Sequence, residues 1–162
     1  MKFAIEQVAI CPPDPKAAIE LLTAMGAGEF AQDVVEAVGD VHGRRSSNVA
    51  HLAFEYGLLA GKEFEVLHYA AGDNWMRHAN GPRVSHFGMH CSAEELVDWR
   101  AFFSARQIPV AQEVLTVSHS NPVIAGQRWY NYVIFDTASI LGVDIKFIVR
   151  RDHEPSKGEL SL

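Results

Sequence analysis

Short runs of alternating or continuously apolar residues, separated by glycine-containing turns, recur along the chain and predict eight β-strands. Many of these runs are rich in Val, Ile and aromatic residues, which are typical of strands. The predicted strands cover residues 3–10, 31–39, 48–56, 62–70, 83–91, 110–118, 128–136 and 141–150. Strands therefore dominate the predicted regular structure.

Two other segments have apolar residues at helical spacing. The first begins after Asp14, a helix-capping residue type, with Pro15 at the first helical position, and Gly26 can end it. The second begins with the S-x-x-E capping box of Ser92 and Glu95. The apolar stripes consist of Ala18, Leu21, Leu22 and Met25 in the first helix and of Leu96, Trp99 and Phe103 in the second. Each predicted helix follows the first strand of one half of the chain.

The predicted order of strand, helix and three further strands occurs twice, with a period near 80 residues. This duplication predicts a first βαβββ module over residues 1–71, a linker loop over 72–83, a second module over 84–151 and a polar tail over 152–162. The predicted fold class is α+β, with the two modules forming a curved mixed-sheet half-barrel around a cavity. A generic α+β domain without a repeat is the alternative.

Composition and charge limit the classes of function. Of the 162 residues, 48% are hydrophobic, which is enough for a core. The formal charge of −6 arises from acids and bases spread along the chain, which argues against nucleic acid as a partner. No signal peptide or membrane-spanning run is recognised, and Cys11 and Cys91 form no C-x-x-C motif. We therefore expect a soluble cytoplasmic protein with reduced thiols.

The order of the elements, with IEQVAI and VSHFGMHC opening the two halves, resembles the vicinal oxygen chelate superfamily. This superfamily includes glyoxalase I, methylmalonyl-CoA epimerase, extradiol dioxygenases and bleomycin-resistance proteins, and the resemblance covers residues 3–151. It implies that the first and last strands of each half supply metal ligands, and it assigns this role to Gln7, Glu65 and His86. Such a set suits a divalent ion (Zn, Ni, Co, Mn or Fe) with positions open for water or substrate.

The fourth ligand position has two candidates. The step from Gln7 to His86 is 79 residues. The same step from Glu65 leads to Asp144, whereas alignment on the stretch LGVDIKFI leads to Lys146, and both face the cavity by strand alternation. Asp144 would complete a ligand set of Gln, Glu, His and Asp. Lys146 would compromise the metal site, because a lysine ligand must be neutral and its deprotonation at about pH 7 costs about 4 to 5 kcal/mol.

Two further residues are interpreted from their positions near the cavity. His90 lies on the same strand face as His86 but roughly 13 Å farther along, at about 3.3 Å per residue, which is too far to bind the same ion. We expect His90 to line the pocket and to position or protonate a substrate, with Glu65 as the general base. The loop around Trp75 is interpreted as a connector, with a lid over the cavity as the alternative.

The favoured hypothesis is a metal-dependent glyoxalase-like lyase or isomerase, whose metal acts as a Lewis acid on a small substrate with two vicinal oxygens. The alternative is a metal-free, ligand-sequestering protein of the bleomycin-resistance type, which a pairing of Lys146 with Glu65 would favour. A dioxygenase is disfavoured, because its two-histidine, one-carboxylate iron site would need histidine where Gln7 stands. The predicted partner is a small molecule, with neither nucleic acid nor membrane, and a homodimer is left open.

Overall fold

The eight predicted strands and both predicted helices are present in the structure, a computed structural model that describes residues 2–76, 83–120, 126–154 and 156. The strands are β1 (Gln7–Cys11), β2 (Ala31–Val41), β3 (Arg44–Leu59), β4 (Lys62–Gly72), β5 (Arg83–His90), β6 (Val110–Ser118), β7 (Trp129–Phe135) and β8 (Asp144–Arg151). The helices are α1 (Pro15–Ala24), α2 (Ala93–Ser104) and α3 (Ala138–Leu141). The short helix α3 has no counterpart among the predicted elements.

The strands form one closed barrel in the order β1-β4-β3-β2-β6-β7-β8-β5. Each half contributes four neighbouring strands in the same relative order, β1-β4-β3-β2 and β5-β8-β7-β6. The pairs β1 with β4 and β5 with β8 are parallel, and the antiparallel pairs β1 with β5 and β2 with β6 join the halves. The predicted α+β mixed sheet is confirmed, and it closes into a full barrel instead of a half-barrel.

Helices α1 and α2 begin at the predicted capping residues. Asp14 Oδ1 accepts a hydrogen bond of 3.0 Å from the backbone N–H of Ala17. Ser92 Oγ accepts one of 3.1 Å from the N–H of Glu95, and the Glu95 carboxylate accepts one of 2.9 Å from the N–H of Ser92. These bonds satisfy N–H groups that have no partner within the helix. Local sequence therefore determines where both helices begin.

Helix α2 packs its apolar stripe on the outside of the barrel. The ring of Phe103 stacks on that of Phe135 with 4.2 Å between centroids, and Trp99 lies 5.0 Å from Phe147. The whole buried cluster consists of Met89, Leu96, Trp99, Phe103, Val133, Phe135, Ile145, Phe147 and Val149. Because side chains alternate along a strand, Lys146 between two of these residues points to the interior of the barrel, as predicted.

Gly39 lies at the seam where β2 of the first half pairs with β6 of the second. A Cβ atom at this position would lie 2.0 Å from the backbone carbonyl oxygen of Glu113. No side chain can be accommodated at that distance, so the close approach of the two strands requires glycine here.

Among the described residues, no helix is long and apolar enough to cross a membrane. Cys11 and Cys91 are both described and are not joined in a disulfide in the structure. Burial, together with the nearby carboxylate of Glu95, raises the pKa of the Cys91 thiol to about 11. Cys91 is therefore protonated at neutral pH and is a poor nucleophile.

Candidate functional site

The barrel encloses a small cavity at its centre. Its free volume is about 20 Å³, which is room for about one water molecule. Strands β2, β3, β6 and β7 contribute apolar side chains to the wall. The polar and aromatic side chains that line the cavity are Asn48, Glu65, Tyr69, Trp75, His86, Gln112, Thr116, Tyr132 and Lys146.

Glu65 of β4 and His86 of β5 are brought together by β1, which lies between their strands. Both residues pair with Ala9 of β1, one across the parallel pair and the other across the antiparallel pair. Paired residues share a face of a sheet, so both side chains enter the interior. Glu65 Oε2 lies 3.2 Å from His86 Nε2, and their side chains are 1% and 0% exposed.

Gln7 joins this pair from β1, where it faces Gly88 of β5. Its Oε1 lies 2.7 Å from His86 Nε2, and its Nε2 donates a hydrogen bond to the Glu63 carboxylate. Gly88 leaves room for this arrangement, because a Cβ atom there would lie 2.8 Å from Gln7 Oε1. The structure thus brings together the predicted ligands Gln7, Glu65 and His86.

The hydrogen bonds around His86 indicate a neutral imidazole with its proton on Nε2. The Gln7 amide donates its N–H to Glu63, so its oxygen faces His86 as an acceptor. The Ser85 hydroxyl lies 2.8 Å from Nδ1 and can donate to it. Burial, together with the positive charge of Lys146, lowers the pKa of His86 to about 4. His86 is therefore uncharged at neutral pH.

Lys146, not Asp144, is the residue of β8 that contacts Glu65. Lys146 Nζ lies 3.6 Å from Glu65 Oε2 and 4.2 Å from the centroid of the Tyr132 ring. Burial by itself would raise the pKa of Glu65, but the Lys146 ammonium and the contact with His86 outweigh it and hold the pKa below its usual range. Glu65 and Lys146 therefore form a buried ion pair.

The sheet register explains why Lys146 takes this position. Glu65 pairs with Ala9 of β1, and Lys146 pairs with Gly88 of β5. Ala9 and Gly88 are equivalent in the two halves, because each lies two residues after the predicted first-strand ligand of its half. Lys146 is thus the repeat counterpart of Glu65. A step of 79 residues from Glu65 leads instead to Asp144, two residues before Lys146.

The carboxylate of Asp144 is held by other groups. Its Oδ1 accepts hydrogen bonds of 3.1 and 3.0 Å from the backbone N–H groups of Thr137 and Ala138, at the start of α3. Its Oδ2 accepts one of 2.9 Å from Trp75 Nε1. The structure therefore does not bring Asp144 together with Glu65, because α3 and the indole engage both of its oxygen atoms, and its role as a metal ligand stays a prediction.

His90 also lies away from its expected place. It is the last residue of β5, and its side chain is 53% exposed. Its Nδ1 lies 3.2 Å from Glu6 Oε2, which also accepts a hydrogen bond of 2.7 Å from the His90 backbone N–H. The strand rise beyond His86 takes this residue past the cavity to the surface. His90 is therefore not among the described residues that line the cavity, and its expected catalytic role stays a prediction.

The burial of Trp75 in the site was not predicted from the sequence, which favoured a plain connector around it, with a lid over the cavity as the alternative. Trp75 stands in a polar stretch with no periodic apolar neighbours, which is why a connector is predicted there. In the structure it is 6% exposed, and its ring lies 5.6 Å from that of Tyr69 and 5.9 Å from that of His86, between centroids. Its hydrogen bonds to Gln112 and Asp144 join segments far apart in sequence. No local signal could have indicated this burial.

The donor atoms have spacings that suit the divalent ion implied by the sequence resemblance. The side-chain oxygens of Gln7 and Glu65 lie 2.7 and 3.2 Å from His86 Nε2. Neighbouring ligands around an ion bound at about 2.1 Å are separated by about 3 Å. Within the described part of the chain, Glu65 Oε2 also has no aligned hydrogen-bond donor. Distances alone would therefore admit an ion.

The charge of the site does not suit a divalent ion. The Lys146 ammonium already balances the Glu65 carboxylate, so an ion would add uncompensated positive charge to a buried site. Among the described residues there is also no group of three or more His, Cys, Asp and Glu that could hold a metal. With Lys146 charged, the residues present do not fit the metal.

The fold is similar to solved structures of low sequence identity. Methylmalonyl-CoA epimerase from Mycobacterium tuberculosis gives a TM-score of 0.54 at 13% identity, over 100% of this chain and 97% of that chain. A variant of the Streptomyces coelicolor epimerase in complex with 2-nitronate-propionyl-CoA gives 0.54 at 13% identity, over 96% and 100%. A hypothetical protein from Bacillus halodurans gives 0.55 at 9% identity, over 94% and 98%. No protein-family model and no curated protein matches the chain.

Methylmalonyl-CoA epimerase is a member of the vicinal oxygen chelate superfamily. The similarity covers nearly the whole of both chains, and the mixed barrel described above agrees with it. The chain therefore has the vicinal oxygen chelate fold, as its sequence predicts. At identities of 9 to 13%, this similarity shows the fold alone.

Proposed function

We propose that the protein is a glyoxalase-like isomerase or lyase that moves a proton on a small, oxygen-rich substrate inside the barrel, with Lys146 as the positive charge. The observation that supports this proposal is the contact of Lys146 with Glu65 beside His86. These three side chains combine a cation, a base and a neutral N–H donor on one cavity wall. Proton abstraction next to a carbonyl group needs such a combination. No metal ion enters the proposed steps.

Lys146 would stabilise the negative charge that develops on the substrate. When a proton leaves a carbon next to a carbonyl group, the electron pair of the C–H bond moves onto the carbonyl oxygen and forms an enolate. An ammonium group stabilises this oxygen more strongly in the protein interior than in water, because the dielectric constant is lower. Lys146 is buried and held over the ring of Tyr132. Its charge is therefore positioned before the substrate binds.

Glu65 is the proposed base. In its ion pair with Lys146 its pKa lies below the usual range, which makes the carboxylate a weak base. When a substrate oxygen takes over the contact with Lys146, burial raises the pKa of Glu65 with less opposition. Substrate binding would thereby strengthen the base. If the carbon that lost the proton carries a hydroxyl group, this hydroxyl passes its proton to the first oxygen and becomes the new carbonyl group. Protonated Glu65 then returns its proton to the former carbonyl carbon, which completes an isomerisation.

His86 would supply a neutral hydrogen-bond donor. Its Nε2–H group lies beside both Gln7 Oε1 and Glu65 Oε2, within reach of a ligand that enters between them. A neutral imidazole can donate to a substrate oxygen without adding a second buried positive charge. A substrate with two neighbouring oxygens would engage His86 and Lys146 together, which supports the vicinal-oxygen class.

Proton exchange in heavy water tests this proposal. A panel of α-keto and α-hydroxy acids and their thioesters is incubated with protein purified in a chelator, and proton NMR follows the loss of the C–H signal. We expect the wild-type protein to catalyse this exchange. We expect Glu65→Gln and Lys146→Met to abolish it in variants that remain folded. Glu36→Gln, which changes an exposed carboxylate, should leave it unchanged. Exchange that depends on added Zn, Ni, Co, Mn or Fe would contradict the role of Lys146.

Ligand sequestration without turnover is the second candidate function. The neutralisation of Glu65 by Lys146 favours it, because a paired carboxylate is a weak base and the site does not suit a metal. Calorimetric binding of compounds from the same panel, with no proton exchange for any of them, would select this candidate. Binding together with exchange would select the enzyme.

A further inference from the structure

The indole of Trp75 lies inside the barrel, on the same cavity as Glu65 and Lys146. With the indole in place, the free volume of about 20 Å³ holds about one water molecule and no organic substrate. A molecule that reaches Lys146 must therefore displace part of the cavity wall.

Trp75 is the lining residue best placed to move. Of the sixteen described residues that line the cavity, fifteen belong to strands that are hydrogen-bonded into the closed barrel, and Trp75 alone lies between strands, after the end of β4. Its Nε1 donates to Asp144 at 2.9 Å and its backbone N–H to Gln112 at 3.3 Å. His42 Nε2 lies 3.2 Å from its carbonyl oxygen. Loss of these contacts breaks no strand pairing.

We infer that the Trp75 indole occupies a ligand subsite, from which the substrate displaces it. The inference rests on the proposed function only for the reacting end of the ligand, at Lys146. The subsite itself is defined by the groups around the indole. The rings of Tyr69 and His86 contact it at centroid distances of 5.6 and 5.9 Å, and Asp144 accepts its N–H.

The chemistry of this subsite defines a class of ligand. Asp144 Oδ2 accepts a hydrogen bond from the indole N–H of Trp75. A group that replaces the indole must offer an N–H or O–H donor to this carboxylate, because a buried acceptor that loses a donor is unfavourable. The aromatic walls favour a flat body, and Lys146 on the same cavity needs an oxygen acceptor. The subsite therefore takes a flat, conjugated molecule with a donor at one end and a carbonyl or oxyanion oxygen at the other.

Hydrogen exchange of the Trp75 indole N–H in the wild-type protein tests whether the indole leaves its place. The rate is measured by NMR on protein labelled with nitrogen-15, and the slowest backbone N–H groups of β2 and β3 serve as the reference. We expect the indole N–H to exchange at least about tenfold faster than these groups, because it needs only a local opening. Exchange of the indole N–H at the rate of the slowest strand amides would overturn the inference.

Binding of free indole tests the subsite directly. In Trp75→Gly we expect indole to bind saturably and to raise the Tm, while the same concentration leaves the Tm of the wild type unchanged. A further Asp144→Asn change, which places an N–H2 group where the acceptor was, should weaken indole binding at least about tenfold. A folded Trp75→Gly variant that binds no indole would contradict the subsite. If circular dichroism shows that Trp75→Gly does not fold, the exchange rate in the wild type decides.

Neither experiment uses the proposed chemistry of Glu65 and Lys146. A slowly exchanging indole would overturn the subsite while proton exchange on a substrate could still be observed. Conversely, a panel without any proton exchange would leave the exchange rate of the indole N–H unaffected. Failure of the subsite and failure of the proposed function are therefore distinguishable.

Discussion

Lys146 Nζ lies 3.6 Å from Glu65 Oε2 in the interior of the barrel, where the two side chains are 5% and 1% exposed. The two residues come from β8 and β4, the last strands of the two halves, and hold equivalent positions in the sheet register. The repeat therefore places a carboxylate and an ammonium group face to face. This neutral pair distinguishes the site from the four-ligand metal site that the sequence resemblance implies.

Removal of one partner of this pair should destabilise the protein more than removal of both. Lys146→Met leaves Glu65 buried without a compensating cation, and breaking a buried pair in this way typically costs about 3 to 5 kcal/mol. The double change Glu65→Gln with Lys146→Met should restore at least about half of that loss. Urea unfolding measures the free energies, with the exposed Lys16→Met as control. A double variant as unstable as the sum of the single variants would contradict the ion pair.

Replacement of Lys146 by a carboxylate should create a metal site. In Lys146→Glu the new carboxylate joins Gln7, Glu65 and His86, and the repulsion between the two carboxylates favours a divalent cation. We expect about one Zn or Ni ion per chain by elemental analysis, and an affinity at least about 100-fold above that of the wild type by calorimetry. Lys16→Glu makes the same charge change on the surface of α1 and should bind no such ion. Wild-type protein that binds the ion equally well would show that Lys146 does not exclude it.

Acidification should destabilise the protein, because His86 is buried as a neutral imidazole. Its pKa is about 4 in the folded protein against an ordinary value of 6.5, owing to burial and to Lys146, opposed by Glu65 and Asp144. In this window the unfolded chain binds the proton first, so the free energy of unfolding falls as the pH drops from about 6.5 to about 4. The shift corresponds to at most about 3 kcal/mol.

Urea unfolding at about pH 7 and about pH 4.5 measures this contribution of His86. His86→Gln should remove much of the pH dependence. The exposed His119→Gln should retain it. If both variants lost stability equally on acidification, the burial of a neutral His86 would not be the cause of the acid destabilisation.

Asp144→Asn should loosen Trp75 and the start of α3 together. The carboxylate accepts hydrogen bonds from Trp75 Nε1 and from the backbone N–H groups of Thr137 and Ala138. An amide has one acceptor oxygen, and its N–H2 group would face another donor, so we expect a loss of about 2 to 3 kcal/mol. Thermal unfolding measures this loss of stability, with Asp136→Asn, the same change at an exposed position, as the control. Equal Tm values for the two variants would be inconsistent with these contacts.

Much of the fold could be predicted because its elements depend on residues close together in the chain. The caps of α1 and α2 are hydrogen bonds between residues three positions apart, from Asp14 to Ala17 and between Ser92 and Glu95. Alternation along the last strand likewise indicated that Lys146 faces the interior, where the structure places it. The repeated order of elements indicated how the two halves correspond.

The composition of the site could not be predicted to the same extent. Alternation places Asp144 and Lys146 on the same side of β8, and only the pairing of β8 with β5 decides which of them contacts Glu65. The short helix α3 has too few residues for a periodic pattern, yet its first N–H groups engage Asp144. The burial of Trp75 depends on that same carboxylate.

The sequence by itself determined the order of the eight strands and the two longer helices, the starts of those helices and the face of β8 on which Lys146 lies. These features follow from short-range periodicity and capping, which act within a few residues. Only the tertiary structure decided that the barrel closes, that Lys146 pairs with Glu65 and that Trp75 enters the cavity. Each of these depends on strand register and packing between segments far apart in the chain, so no local pattern contains it.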